Sequence, residues 1–540
     1  MHRSASRCSS RPRSVSHCSI PRVRSGGSPH SRRMQQCASK RAWRRERIGR
    51  SPPHRHVSCH SAVRRVHRKL MTTTPLYELS AATLVDGYRR KTLSPVDVTQ
   101  AVLARIDEWE PLIRATYALD RDGALAMARA SEARWLRGEP AGPLDGVPVT
   151  IKENIATRGV PVPLGCAATE LTPAADDSPP AARLRDAGAV FVSKTTMPDF
   201  GLIGAAASSF HPLTRNPWDL SRNTGGSSSG AGAAAAAGYG PLHLGSDIGG
   251  SVRIPAAFCG VFGFKPSFGR VPVDLPYPGR VTGPLTRTVQ DAALAMQTIA
   301  LPDARDHMSL PYQPIEWLNL ERDPKGLRIG LWIDPGNGVQ VAAEVRAAIE
   351  RAAAAFAAAG ATVVPVRPWL ARGALEAVAR FWGARLRGTL AALPAARREL
   401  VAAFVRRRAE VVADATGDTI YAAYAQMLAL RAQTVAATGE FDYVLSPTFP
   451  QPPFAAEATH IDQDGLHPIE QVVFTLAFNL SEQPAASINC GYTRDGLPIG
   501  LQIAGRRFDD LGVLQLARCW EQMDTVRRPW PEAAAARAAA

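Results

Sequence analysis

Apolar and polar positions follow two periods along most of the chain, and the switch from one to the other falls at punctuating residues. Ser94-Pro95 reads as a helix N-cap and first helical position, and Val98, Val102 and Ile106 then fall on one face. A second helix is predicted over 123–137, stopped by Gly138. The run Gly146 to Ile151 (GVPVTI) is short and apolar, and predicts a buried strand that delivers Lys152 at its end. Ser178-Pro179 opens another helix, Gly188 closes it, and Val190-Phe191-Val192 follows as a strand.

The same helix–glycine–strand rhythm returns further on. Strands are predicted near 241–245, 327–333, 362–366, 442–446 and 498–503. Helices are predicted near 341–359 and 511–522, and 370–437 reads as mostly helical. Such alternation predicts a parallel or mixed sheet covered by helices on both sides. No Pro/Ser-rich linker divides 71–525, so one α/β/α domain is expected there. The Ala-rich end, 526–540, is expected to be a low-complexity tail that frays.

Charge changes this picture at one end only. The 540 residues carry a net charge of +16, yet residues 1–70 hold 19 Lys/Arg against the single acid Glu46. That segment therefore contributes +18 and the remainder −2. It lacks apolar periodicity and cannot bury enough surface to offset its ordering entropy. It reads as a basic arm for nucleic acid, as an Arg/Ser-rich targeting peptide, or as sequence upstream of a true start at Met71, the favoured reading. The basic character belongs to this segment alone, so nucleic-acid binding is not expected of the domain. No stretch of about 20 apolar residues occurs, and no membrane span is expected. Beyond residue 70 the cysteines Cys166, Cys259, Cys490 and Cys519 are widely spaced. They predict free thiols in a reducing cytoplasm rather than disulfides or a metal site.

Candidate chemistry gathers in 223–269. Asn223-Thr224-Gly225-Gly226-Ser227-Ser228-Ser229-Gly230 precedes an Ala-rich helix and a strand, and Ser246-Asp247-Ile248-Gly249-Gly250-Ser251-Val252-Arg253-Ile254-Pro255 follows. A flexible Gly/Ser linker is the plain alternative for the first stretch, but its neighbours are patterned. A phosphate loop is disfavoured because no G-x-x-x-x-G-K-[ST] is present. In the second stretch, Gly249 and Gly250 permit backbone angles that aim successive N–H groups at one point. Ile248, Gly249, Gly250 and Ser251 thereby become candidate oxyanion-hole donors, with the Ser251 hydroxyl beside them as nucleophile. A serine needs a base. His211, His243, His307, His460 and His467 stand in no suggestive setting, whereas Lys152 ends an apolar strand, where burial lowers a lysine's pKa.

Taken together these segments resemble the amidase signature family. The resemblance rests on Gly225 to Gly230, on Gly245 to Pro255 (GSDIGGSVRIP), on Phe258-Cys259-Gly260 and on Gly263-Phe264-Lys265-Pro266. It rests also on Ile151-Lys152-Glu153-Asn154-Ile155, on Lys194-Thr195-Thr196-Met197-Pro198 and on Gly496 to Gln502. It spans about Leu76 to Trp520. The resemblance implies the amidase signature fold, with Ser251 as nucleophile, Ser227 as a bridging serine behind a cis peptide bond, and Lys152 as base. It implies a serine acyl-enzyme, with no metal and no cofactor. Ser229, Asn223-Thr224, Glu153 and Ser246 depart from the usual family residues without touching the three catalytic positions.

The expected activity is hydrolysis of a small-molecule carboxylic amide to acid plus amine or ammonia, and a homodimer is compatible with the family. The alternative is the glutamine-hydrolysing amidase subunit of a tRNA-dependent amidotransferase complex, which needs a partner. A third reading, the G-x-S-x-G elbow of α/β-hydrolases, would make Ser228 the nucleophile and His460 or His467 the base. It requires a strand immediately before Ser228, where Leu220 to Gly225 is polar and turn-like.

Overall fold

The computed structural model describes residues 74–461 and 469–539, so segment 1–70 and His467 lie outside the described residues. Strands are β1 (Thr116–Leu119), β2 (Pro148–Lys152), β3 (Val190–Thr195), β4 (Arg215–Asn216), β5 (Asp219–Asn223), β6 (Leu242–Asp247), β7 (Phe262–Lys265) and β8 (Val281–Thr286). They continue with β9 (Arg328–Leu331), β10 (Thr362–Pro365), β11 (Tyr443–Pro447), β12 (Ala485–Tyr492) and β13 (Pro498–Gly505). Eleven form one sheet in the order β1-β3-β2-β6-β8-β7-β12-β13-β11-β9-β10, and β4 pairs with β5 apart from it. β2 runs parallel to β3 and β6 on either side. The middle of the sheet, from β6 through β8, β7, β12 and β13 to β11, is antiparallel. β9 is parallel to both β11 and β10. The sheet is mixed, and helices flank it.

Strand periodicity sorts the chemistry onto one face. In β2, Val149 and Ile151 enter the largest apolar cluster, and Thr150 and Lys152 point the other way. In β13, Ile499, Leu501 and Ile503 join that cluster, while Gln502 faces opposite. Leu242 and Leu244 of β6 repeat the pattern around His243. One face of the sheet is therefore a continuous hydrocarbon layer. The other carries Thr150, Lys152, His243 and Gln502 among further apolar residues such as Val190, Val192, Val444 and Ala504, and helices cover it.

Local signals fix the helices. Ser94 caps Pro95–Ile113, its hydroxyl accepting from the N–H groups of Val96 at 3.1 Å and Asp97 at 3.3 Å; such a cap is worth about 1 kcal/mol. Arg121–Arg137 ends at Gly138 in the left-handed conformation. The Gly/Ser block is no linker: it leads into the helix Ser229–Ala237, every residue of which is buried. Small residues are required there, because a Cβ on Gly230 would lie 2.2 Å from the Ala115 carbonyl oxygen. The expected fraying tail is instead helical over Ala533–Ala539. Just before that helix, Glu532 reaches the buried Arg105 at 2.9 Å, and Arg537 donates to the Glu108 carbonyl at 2.8 Å. No helix among the described residues is long and apolar enough to cross a membrane.

Candidate active site

Lys152 is fully buried where β2 ends, and its Nζ lies 2.8 Å from Ser227 Oγ and 3.1 Å from Ser228 Oγ. No carboxylate pairs with it among the described residues. Burial pulls its pKa down to about 7; Asp247 and Glu153 act upward at a distance, and Arg280 acts downward. An amine in this environment is neutral in a large fraction of molecules near neutral pH, which is the condition for a lysine to accept a proton.

Ser227 follows a cis peptide bond from Gly226. Its hydroxyl is closely walled, since a Cβ on Gly201 would sit 3.1 Å from it. Ser228 cannot serve as the elbow nucleophile. β5 ends at Asn223 rather than at the serine, and the Ser228 hydroxyl is buried, donating to the Ser246 carbonyl at 3.2 Å and accepting from the Ser246 N–H at 3.3 Å. His243, the histidine nearest in sequence, is held by Thr150 at 2.8 Å and by the Gly240 carbonyl at 3.0 Å, and burial drives its pKa down to about 3. His211 pairs with the Glu153 carboxylate.

Ser251 sits on the turn between β6 and the helix Arg253–Cys259, and unlike Lys152 and Ser227 it keeps partial exposure. Its carbonyl accepts the Ser228 N–H at 3.1 Å, which fastens the two serine-bearing segments together. Among the four expected oxyanion donors, the N–H groups of Ile248, Gly249 and Ser251 have no partner among the described residues. Gly250 differs: its N–H donates to Asp247 Oδ1 at 2.8 Å. That is a correction to the set read from the Gly-Gly pattern. The sequence shows that the turn can aim donors, but not that a carboxylate three residues earlier takes one of them.

A buried network holds this turn. Arg253 forms two contacts with Asp247, at 3.0 and 3.1 Å, and both side chains are fully buried. Burial alone would raise the Asp247 pKa, but the Arg253 charge and its hydrogen bonds hold it far below the usual carboxylate range. Arg253 also donates to Gln502 Oε1 at 2.6 Å, Asn479 Oδ1 at 2.6 Å and the Thr475 carbonyl at 3.0 Å. Asn479 returns a hydrogen bond to Asp247 at 2.8 Å, and the Thr475 hydroxyl donates to the Gly249 carbonyl at 2.7 Å. Gly250 has φ of +117°, and a Cβ there would lie 2.3 Å from Thr475 Oγ1. Thr475 and Asn479 escape sequence reasoning because they stand in the apolar helix Val473–Leu480, which shows no motif of its own.

Two further buried lysines are structural. Lys194 donates to the Ile155 carbonyl and Lys265 to the Pro266 carbonyl, and burial lowers each pKa to about 7. The cysteines Cys166, Cys259, Cys490 and Cys519 are buried and unpaired.

A large mixed sheet with helices around it, carrying a buried lysine against a serine pair and a Gly-Gly-Ser turn, defines an amide hydrolase. The chain belongs to the amidase signature family: the family description Amidase matches residues 97–514. Members act on the carbon–nitrogen bonds of amides. The chain is 34% identical over 492 residues to a glutamyl-tRNA(Gln) amidotransferase subunit of Carboxydothermus hydrogenoformans, covering 85% of this chain and 99% of that protein. Among solved structures, a bacterial aryl acylamidase of the amidase signature family superposes with a TM-score of 0.78 at 30% identity, covering 83% of this chain and 97% of the other. The corresponding glutamyl-tRNA(Gln) amidotransferase subunit from Thermotoga maritima superposes with a TM-score of 0.69 at 26% identity, covering 86% and 100%.

Proposed function

We propose that the chain hydrolyses a carboxamide through a Ser251 acyl-enzyme, with Ser227 as proton relay and Lys152 as base. The observation that carries this reading is the 2.8 Å contact from Lys152 Nζ to Ser227 Oγ, made by a buried lysine with no counter-ion in contact among the described residues. Neutral Lys152 takes the proton of Ser227 as Ser227 takes that of Ser251. The Ser251 oxygen bonds to the amide carbon, and the carbonyl π pair moves onto oxygen. The oxyanion rests on the N–H groups of Ile248, Gly249 and Ser251. As the tetrahedral adduct collapses, the carbon–nitrogen bond breaks and the relay returns the proton to the leaving nitrogen. Water, deprotonated by the same relay, then attacks the Ser251 ester; the bond from the acyl carbon to Ser251 Oγ breaks, the relay returns the proton to that oxygen, and the carboxylic acid leaves.

For the substrate, the sequence relatives support glutamine, hydrolysed to release ammonia for a partner as in a tRNA-dependent amidotransferase. Identities of 34% and 35% over almost the full length of several such subunits favour it. A free-standing amidase acting on a small-molecule amide is the second reading, supported by the TM-score of 0.78 to the aryl acylamidase against 0.69 to the Thermotoga maritima subunit. Buried unpaired cysteines are in keeping with a reducing cytoplasm.

The test is ammonia or amine release from glutamine and from a mixed amide panel, by wild type and Ser251→Ala, with and without amidotransferase partner subunits. Turnover that vanishes in Ser251→Ala is expected. Glutamine hydrolysis that appears only with partners selects the first substrate reading, and partner-independent amide hydrolysis selects the second. A Ser251→Ala protein that retains turnover overturns the mechanism.

A further inference from the structure

Beside the oxyanion turn lies a cluster of cations that the proton relay does not use. Arg280 begins the approach to β8, and its backbone N–H donates to the Tyr277 carbonyl at 2.9 Å. Among the described residues, its guanidinium donates only to main-chain oxygens, those of Leu275 at 3.3 Å and Asp274 at 3.5 Å. Arg385, on the helix Arg372–Ala391, places its guanidinium carbon 4.7 Å from the centre of the Tyr277 ring. Neither arginine pairs with a carboxylate among the described residues. Asp274 and Asp306 act on Arg280 through space only, and the Asp306 carboxylate is occupied by the N–H groups of Val273 at 2.9 Å and Met308 at 2.8 Å.

Three contacts tie this cluster to the chemistry. The carbonyl of Gly279, next to Arg280, accepts from Asn479 at 3.0 Å, and the same Asn479 amide donates to Asp247 at the base of the oxyanion turn. Trp382, three residues before Arg385, reaches within 3.3 Å of where a Cβ on Gly249 would stand. Arg280 is also close enough to Lys152 to act on its charge, favouring the neutral amine, and the Arg280 pKa itself is lowered by burial and then by Arg385.

Arg280 is half-buried and Arg385 exposed, so two neighbouring guanidinium groups, neither in contact with a carboxylate among the described residues, present positive charge that an arriving anion can meet. We propose that Arg280, backed by Arg385, is a specificity-determining residue that receives a carboxylate carried by the amide substrate. The substrate class is then an amide with a second, anionic end; beside Arg280 the Tyr277 and Phe381 rings stack, and both pack on the apolar cluster that holds Trp382. This deepens the proposed function and rests on it. Glutamine satisfies the carboxylate requirement, as does any half-amide of a dicarboxylic acid or an N-acyl amino acid.

The experiment compares kcat/KM for two matched pairs: glutaramate with hexanamide for a carboxylate on the acyl side, and N-butyrylglycine with N-propylbutyramide for one on the leaving side. Wild type, Arg280→Met, Arg280→Lys and Arg385→Met are measured alike. A change in the Lys152 proton affinity affects both members of a pair equally, so the ratio isolates the carboxylate contact. Wild type is expected to prefer the anionic member of one pair by about 10- to 100-fold, the range of a charge-assisted hydrogen bond. Arg280→Met should collapse that ratio, mainly through KM; Arg280→Lys should restore part of it, and Arg385→Met should reduce it less. Turnover with no anionic preference, or with the same ratio in Arg280→Met, overturns the inference and leaves the amidase reading standing. No Ser251-dependent turnover of any amide, glutamine with partners included, overturns both.

Discussion

If Lys152 is the base, the rate must follow its neutral form. At a pKa of about 7, half of the molecules carry the free amine at pH 7. At the ordinary lysine value of 10.5 the fraction at pH 7 would be about one in three thousand. Burial therefore supplies most of three orders of magnitude in available base. It does so at a stability cost of about 5 kcal/mol, set by the gap between the two values. The measurement is kcat/KM against pH from 5.5 to 9, which reports the free enzyme. An acid limb is expected, with its midpoint near 7 and a tenfold loss per unit below it. Two substitutions should move that limb in opposite directions. Arg280→Met removes a charge that lowers the Lys152 pKa, so its limb shifts to higher pH; Glu153→Gln removes one that raises it, so its limb shifts lower. A rate that is flat from 5.5 to 9, or a limb that neither substitution moves, would refute Lys152 as the base.

Other consequences can be checked separately. Ser227→Ala removes the relay and should lower kcat by about 10²- to 10⁴-fold with little change in KM; a loss under tenfold would show that Lys152 reaches Ser251 without it. Arg253→Met strands Asp247, Asn479 and Gln502 in the interior and should cost about 3–5 kcal/mol, read as a lower urea midpoint. Gly250→Ala forces a side chain onto a left-handed backbone and into Thr475, and should cost about 1–3 kcal/mol from the backbone alone, together with activity. Between pH 7 and 9 the unfolded chain holds protons on Lys152, Lys194 and Lys265 that the folded chain has released, so stability should rise with pH there. Lys194→Met and Lys265→Met should each flatten that rise in thermal melts at fixed ionic strength.

The sequence made the ends of elements legible wherever a single residue decides them, as Ser94 and Gly138 do. It made β2 legible because Val149 and Ile151 are apolar and Lys152 ends the run. It failed at the antiparallel centre of the sheet. β7, β8 and β12 pass without a strand prediction because close approach, rather than alternation, chose their residues. A Cβ on Gly283 would lie 1.9 Å from the Phe264 carbonyl oxygen, and one on Gly263 2.6 Å from Ala256. Glycine and Pro284 then read as turn residues although they stand in a strand. The tail misleads in the opposite sense: repeated alanine looks structureless, yet a helix forms and Ala533 is buried in the cluster behind the helix Pro95–Ile113. The two serines and the lysine of the proposed mechanism stand out in the sequence as a pattern. The carboxylate that occupies the Gly250 N–H and the cations around Tyr277 do not, because both depend on residues brought together by the fold.

The assembly of the Arg253 network from distant segments governs when the site can exist. Ser251 and both of its proposed helpers are made in the first half of the chain, but Arg253, which steadies the turn, finds Asn479 and Gln502 at separations of 226 and 249 residues. During translation at about 5–20 residues per second, the nascent chain carries all three proposed catalytic residues for tens of seconds before those partners leave the ribosome. Over that interval the guanidinium and its carboxylate have each other but not the two amides that complete their hydrogen bonds. On the proposed mechanism, a chain released early lacks the two amides that hold the Arg253 side chain and, with it, the turn that carries Ser251.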